Sequence, residues 1–364
     1  MAVYKTDKAV TECEINGIQQ VGVGTCSFEK SRDWFKDRFG FDVRILEDDT
    51  VAERMLPYTG GKAQQRHAGI NVNLNGGGGL EIWQYSHRTP VSPAQTAAAG
   101  DLGIFAARLK CRNICLFREF LLKNGCAPSE PTETPDHKPC MYVPDLYGNI
   151  FQIVEESSTF IRQKHLCGGV TGALVGVSDM ERSLKFYSEV LGYDTVVYDV
   201  TGTFKEWASL KGGEQNFRRV LLKRSKTPSG AFSPLFGPDS VELVQALDRT
   251  PVKLYEGRFW GDPGFIQICY DVRGMDALGR RCAALGHPFT VDSCPTGEIF
   301  NMGDAAGRFT YVEDPDGTLI EFVETFKVPV YKKAGWYIDM SKREAGKPLP
   351  RFLFKAMGLT SRLK

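Results

Sequence analysis

An acidic residue set inside an apolar strand is the first place in this sequence where chemistry is expected. The segment EDPDGTLIEFVE runs from Glu313 to Glu324. Asp314-Pro315-Asp316-Gly317 has the composition of a turn: proline presets φ at its second position, and glycine takes the left-handed angle that other residues avoid. Thr318 to Val323 is β-branched or apolar except at Glu321. Side chains alternate across a strand, so Leu319, Glu321 and Val323 share one face. A carboxylate between apolar neighbours needs a metal ion, an arginine or a bound proton, because burying it without a partner is strongly unfavourable. The other reading of this strand alone is an edge strand with Glu321 in water.

The surrounding elements repeat. Ile18 to Thr25 alternates as a strand, and SFEKSRDWFKDRFGF follows as a helix with Ser27 at its N-cap and Gly40 at its end. Three further strands complete a β-α-β-β-β module. A second module starts at residues 102–110 and closes with DLYGNIFQIVE at Glu155. A third opens at Val170, with Ser178 and Glu181 forming a capping box, and closes with SVELVQAL. The fourth opens with GFIQICYDV and closes with the strand of Glu321. SRDWFKDRFGFD and SLKFYSEVLGYD align without a gap at an offset of 152, and DLYGNIFQ aligns with DPDGTLIE at an offset of 169. Modules one and three are therefore alike, as are two and four. The expected organisation is an N-terminal pair of modules over 1–160, a C-terminal pair over 165–330, and a basic tail over 331–364 with a short helix in PRFLFKAMGLT.

Paired β-α-β-β-β modules with a closing DPDGxxIE strand resemble the vicinal oxygen chelate superfamily, which includes glyoxalases, epimerases, bleomycin resistance proteins and dioxygenases. The resemblance covers roughly residues 15–327. It implies an α+β fold in which a duplicated pair of modules forms two cupped sheets. It also implies up to two metal ligands per module, one on the first strand and one on the last. Carried over by position, these are Gln20 and Glu81, Ile104 and Gln152, Gly172 and Glu242, and Gln267 and Glu321. With adjacent modules taken as partners, the N-terminal half keeps one charged donor and reads as a structural or degenerate cup. The C-terminal half keeps Glu242, Gln267 and Glu321 as metal ligands, with Glu242 and Glu321 as the catalytic carboxylates. Gly172 leaves an open position with room for substrate. Arg308 and Tyr311 are candidate substrate contacts.

Oxygen-rich ligation calls for a divalent cation: Mg²⁺, Mn²⁺, Zn²⁺ or Ni²⁺. Iron is disfavoured because none of the five histidines falls at a ligand position, whereas a dioxygenase of this superfamily needs two. The expected activity is that of a lyase, isomerase or epimerase moving a proton next to a carbonyl. A metal-free small-molecule binding protein and a hydroxyphenylpyruvate-dioxygenase-like iron oxygenase are the alternatives.

Composition sets outer bounds. The 364 residues carry a formal net charge of +1, which argues against a broad nucleic-acid or anionic-membrane surface. The run Gln215 to Lys226 is locally basic and is a candidate for steering an anionic substrate. Trp207, Phe259 and Trp260 are candidates for an aromatic entrance or for core packing. Ten cysteines include no CxxC pair, and no apolar run approaches the length of a membrane span. The N-terminal residues lack a signal-peptide pattern, so the expected setting is reducing and cytoplasmic. A small-molecule substrate is expected, an anionic one among the candidates, with the chain a monomer or homodimer.

Overall fold

The computed structural model describes residues 12–295, 299–301, 306–331 and 335–363. Residues 1–11 lie outside these.

Four modules are present. Module one contains β1 (Glu14–Gly24), α1 (Phe28–Phe39), β2 (Val43–Ala52), β3 (Gln64–Val72) and β4 (Gly79–Tyr85). Module two contains β5 (Gly103–Cys111), α2 (Ile114–Lys123), β6 (Thr132–Glu133), β7 (Pro139–Pro144) and β8 (Ile150–Glu155). Module three contains β9 (Cys167–Gly176), α3 (Met180–Glu189), β10 (Thr195–Gly202), β11 (Phe217–Lys223), the short α4 (Ser233–Phe236) and β12 (Ser240–Ala246). Module four contains β13 (Gly264–Arg273), α5 (Met275–Ala284), β14 (Val291–Asp292), β15 (Phe300–Asn301), β16 (Ala306–Glu313) and β17 (Leu319–Tyr331). The tail adds β18 (Trp336–Asp339) and α6 (Arg351–Thr360). At α3 the cap is Asp179, whose carboxylate accepts the Arg182 N–H, and not the expected Ser178; the Ser178 hydroxyl donates to Asp316 instead.

The pairing of modules departs from the expectation. One sheet runs β14-β16-β17-β13-β1-β4-β3-β2, joining module four to module one. The other runs β10-β11-β12-β9-β5-β8-β7-β6, joining module three to module two. The seams are the antiparallel pairs β1–β13 and β5–β9. Each half of the chain therefore contributes one module to each sheet. We call the sheet of modules one and four the outer cup and that of modules two and three the inner cup.

The two segments between sheets explain the exchange. Residues 86–102 and 247–263 carry the chain from one sheet to the other, and they run together: Leu102 N–H donates to Val252 O, and Leu254 N–H donates to Leu102 O. Both contain the same signal, Arg-Thr-Pro-Val followed by Gly-Asp-x-Gly, at an offset of 161. The ion pairs are reciprocal. Arg88 of the first segment binds Asp262 of the second at 2.6 Å, and Arg249 of the second binds Asp101 of the first at 2.6 Å. Each aspartate also accepts a backbone N–H across the pair, from Val91 and Val252 respectively. Asp262 is fully buried, so its charge requires that partner.

One apolar core joins both sheets to the helices, including Phe35, Phe117, Phe186 and Leu278 beside Val21, Leu109, Val175 and Ile320. The tail helix docks through Phe354 onto a separate cluster with Val43, Leu74, Phe160 and Leu235. Among the described residues no helix is long and apolar enough to cross a membrane. Each cup interior has its own side-chain filling, and these differ.

Candidate functional site

The inner cup is filled by its own cations. On β12, Glu242 projects into the cup and is fully buried. Arg108 on β5 donates to Glu242 at 2.7 Å, to Gln152 at 2.6 Å and to Ser240 at 2.9 Å. Arg219 on β11 donates to the other Glu242 oxygen at 2.6 Å and also pairs with Glu206. The Arg219 guanidinium lies over the rings of Trp207 and Phe204, 3.8 and 4.3 Å from their centroids. Trp207 in turn donates its indole N–H to Tyr142 at 2.7 Å. Both Glu242 oxygens are taken by guanidinium groups, so neither is free for the role of metal ligand and base expected of Glu242.

Two more positions differ here from the expectation, one for a steric reason and one because of strand register. A Cβ on Gly172 would stand 2.2 Å from the backbone oxygen of Ser240. Glycine there permits close strand approach and leaves no room for substrate. Ile104 faces the core, because the β5–β9 register shifts between Ile104 and Ala106 and turns Ala106 and Phe105 toward the cup.

The outer cup gathers four donors that the adjacent-module pairing had divided. Gln20 comes from β1, Glu81 from β4, Gln267 from β13 and Glu321 from β17. The Gln267 amide nitrogen donates to Glu81 at 2.8 Å and to Glu321 at 3.3 Å. Gln267 reaches this position over Gly22, where a Cβ would stand 2.6 Å from the Gln267 amide oxygen. Gln20 and Gln267 are buried, Glu321 is 6% exposed, and Glu81 keeps partial exposure. The Oε1 of Gln20 is buried with no hydrogen-bond partner. Among the described residues neither Glu81 nor Glu321 forms a salt bridge, and the nearby Arg66 is committed to Asp48.

The electrostatics follow from this. Burial raises the Glu321 pKa, the Glu81 charge raises it further, and hydrogen bonds from Cys269, Tyr311 and Gln267 pull it back, leaving it at about 8. Burial also raises Glu81, opposed by the Arg66 charge and by hydrogen bonds from Gln20 and Gln267. Two carboxylates thus face each other in a largely buried site, joined by one amide. A hard divalent cation suits this set of two carboxylate and two amide oxygens, and it would give the orphaned Gln20 oxygen a partner. The charged donors number two; among the described residues no group of three or more His, Cys, Asp or Glu is placed to hold a metal.

Around these donors lies an aromatic shell of Trp83, Tyr85, Trp260 and Tyr311, with Met55 and Leu319. Tyr311 stands opposite Glu321 in the β16–β17 register. Arg308 is instead bound to Asp292 and Asp276 and is largely buried, so it offers no free cation to an anionic substrate. The basic run of residues 215–226 is likewise committed: Arg218 pairs with Asp199 and Glu181, Arg219 with Glu242, and Arg224 with Asp239. Of the aromatic candidates, Trp207 fills the inner cup, and Trp260 and Phe259 belong to the outer one.

Comparison with known proteins agrees with this architecture. Two curled half-barrel sheets built from β-α-β-β-β modules define the vicinal oxygen chelate fold. Glyoxalase I from Zea mays superposes with a TM-score of 0.53 at 12% identity, over 86% of this chain and 92% of that one. A putative dioxygenase from Bacillus subtilis superposes with a TM-score of 0.56 at 11% identity, over 96% of this chain and 97% of that one. Residues 164–322 match the Glyoxalase/Bleomycin resistance protein/Dioxygenase superfamily model, which relates that stretch of the chain to the superfamily. The matched stretch is modules three and four, one from each sheet. No curated protein sequence matches the chain.

Proposed function

We propose that the outer cup is the active centre, that Gln20, Glu81, Gln267 and Glu321 hold a divalent cation there, and that the chain is a lyase or isomerase acting by proton transfer next to a carbonyl. The observation that carries this reading is the pair of carboxylates that form no salt bridge among the described residues, beside a buried amide oxygen that accepts no hydrogen bond from those residues. A cation bound by these oxygens supplies Lewis-acid polarisation of a substrate oxygen. Mg²⁺ and Mn²⁺ suit the all-oxygen donor set best, with Zn²⁺ and Ni²⁺ also compatible.

The chain's own residues divide the remaining work. Glu321 takes and returns the proton, as the more deeply buried of the two carboxylates in the cup. Burial raises the Glu81 pKa as well, and the Arg66 charge opposes that rise. The Tyr311 and Cys269 hydrogen bonds orient Glu321. The aromatic shell excludes water and accepts an apolar or flat portion of the substrate. The donor chemistry favours this reading over an iron dioxygenase, since amides and carboxylates occupy the cup and its histidines lie elsewhere. His67 stacks on Phe28, and His165 packs against Phe117 and Phe120.

The test is deuterium exchange at the carbon next to the carbonyl in a panel of small 2-oxo compounds and thioesters, followed by NMR with Mn²⁺-, Zn²⁺- or Ni²⁺-treated protein after metal removal. Exchange that is lost in Glu321→Gln, with the fold retained, supports the assignment. Exchange that persists in Glu321→Gln, or is absent from the whole panel, counts against it.

A further inference from the structure

The indole of Trp260 donates its Nε1–H to the Gln267 amide oxygen at 3.2 Å, inside the outer cup. The same amide turns its nitrogen toward Glu81 and Glu321. Without a cation this orientation is the stable one. Reversing the amide would set its NH₂ against the indole N–H and its oxygen against two carboxylates, losing three hydrogen bonds and adding repulsion. Coordination requires the reverse, since an amide binds a metal ion through oxygen.

We infer that Trp260 is a positioning residue that sets the orientation of the Gln267 amide, so that cation binding turns the amide over and displaces the indole hydrogen bond. This rests on the outer-cup metal reading and adds to it a cost of loading located in one side chain. Trp260 is well held for this role. Its N–H donates to Tyr58 O at 3.0 Å, its carbonyl accepts from the Tyr85 hydroxyl, and its ring meets Trp83 edge-on at 4.6 Å. The backbone is therefore fixed while the indole N–H loses or keeps its acceptor. The inner cup offers an internal control. At the offset of 161, Trp260 corresponds to Ala99 and Gln267 to Ala106. At these two matched positions the indole and the amide occur together in the outer cup and are both replaced by alanine in the inner one.

The experiment is titration of Mn²⁺ into full-length metal-free protein by calorimetry. Trp260→Phe keeps a ring and removes the donor, and it is expected to bind Mn²⁺ about three- to tenfold more tightly, the size of one released hydrogen bond. In a Gln267→Glu background both terminal atoms are oxygen, no reversal is needed, and adding Trp260→Phe should change affinity little. A second measurement reads the wild-type chain: with Mg²⁺, the tryptophan indole N–H resonance that is perturbed in Gln267→Glu should shift. Equal or weaker Mn²⁺ binding by Trp260→Phe, or an unmoved indole signal while Mg²⁺ binds, overturns the inference and leaves the metal site standing. Absence of Mn²⁺ binding in every variant overturns both.

Discussion

The two cups are built from the same module types and differ in where their positive charge comes from. In the inner cup, Arg108 and Arg219 grow from the sheet itself and close on Glu242. In the outer cup, Glu81 and Glu321 meet across an amide, and among the described residues no side-chain cation forms a salt bridge with them. Glu242 and Glu81 lie at matching places in their modules, yet one is neutralised by covalently attached guanidinium groups and the other is not. On the proposed reading, the inner cup balances its buried carboxylate with cations of the chain and is a structural element, while the outer cup takes a cation from solution and is the site.

The largest contrast concerns stability. Arg219→Met leaves Glu206 and part of Glu242 without their buried partner, and should destabilise the protein by about 3–5 kcal/mol in urea unfolding. In metal-free protein the opposite sign is expected for Glu321→Gln, because it relieves a buried carboxylate that has no cation. A destabilising effect of Glu321→Gln in metal-free protein would break the comparison.

The second contrast is in metal affinity. Glu81→Gln and Glu321→Gln each remove one of two charged donors and should weaken Mn²⁺ binding by about 100-fold, measured by calorimetry; a neutral-for-charged change of this kind is worth at least the 1.5–3 kcal/mol of a charged hydrogen bond. Glu242→Gln should leave Mn²⁺ affinity within about twofold, since its oxygens are already occupied.

The third is in pH dependence. Glu321 has a folded pKa of about 8 against an ordinary value of 4.5. Between these values the folded state holds more protons than the unfolded one, so this group's contribution to stability is lost as pH rises from about 4.5 to 8. Asp271, with a pKa of about 7 from burial, acts in the same direction and is common to both chains being compared. The Tm of metal-free Glu321→Gln minus that of wild type should therefore grow by several degrees across this window and then level off. A flat difference would show that Glu321 is ionised throughout.

The smallest effect tests the crossover segments. Asp262→Asn and Asp101→Asn break reciprocal ion pairs and should cost similar amounts, about 1–3 kcal/mol each, in urea unfolding. A much larger cost for one would show that the two crossovers are not equivalent.

Much of this molecule was legible in the residues, and the limit was which modules face each other. The module count, the two repeats and the inward alternation of Glu321, Glu242 and Gln267 follow from strand periodicity and turn composition. All four outer-cup donors were identified by position. They were assigned to different sites because chain order suggests that neighbouring modules pair, and local periodicity carries no information on pairing between sheets. The signal that resolves it is the repeated Arg-Thr-Pro-Val and Gly-Asp-x-Gly of the crossovers, whose arginines and aspartates match across segments. Arg108 escaped notice, and Arg219 was read only as part of a basic run, for a related reason. An arginine in a strand reads as a surface cation until the carboxylate opposite it is known. The bulge near Phe105 was likewise hidden, since one extra residue reverses the facing of Ile104 without altering composition.

The most direct test of the central claim is a crystal of the full-length protein soaked in Mn²⁺ and measured at the manganese absorption edge. The account predicts one anomalous peak per chain, in the outer cup, within bonding distance of Glu81 and Glu321 and of the Gln20 amide oxygen. A peak beside Glu242, or an outer cup that stays empty at saturating Mn²⁺, would contradict it.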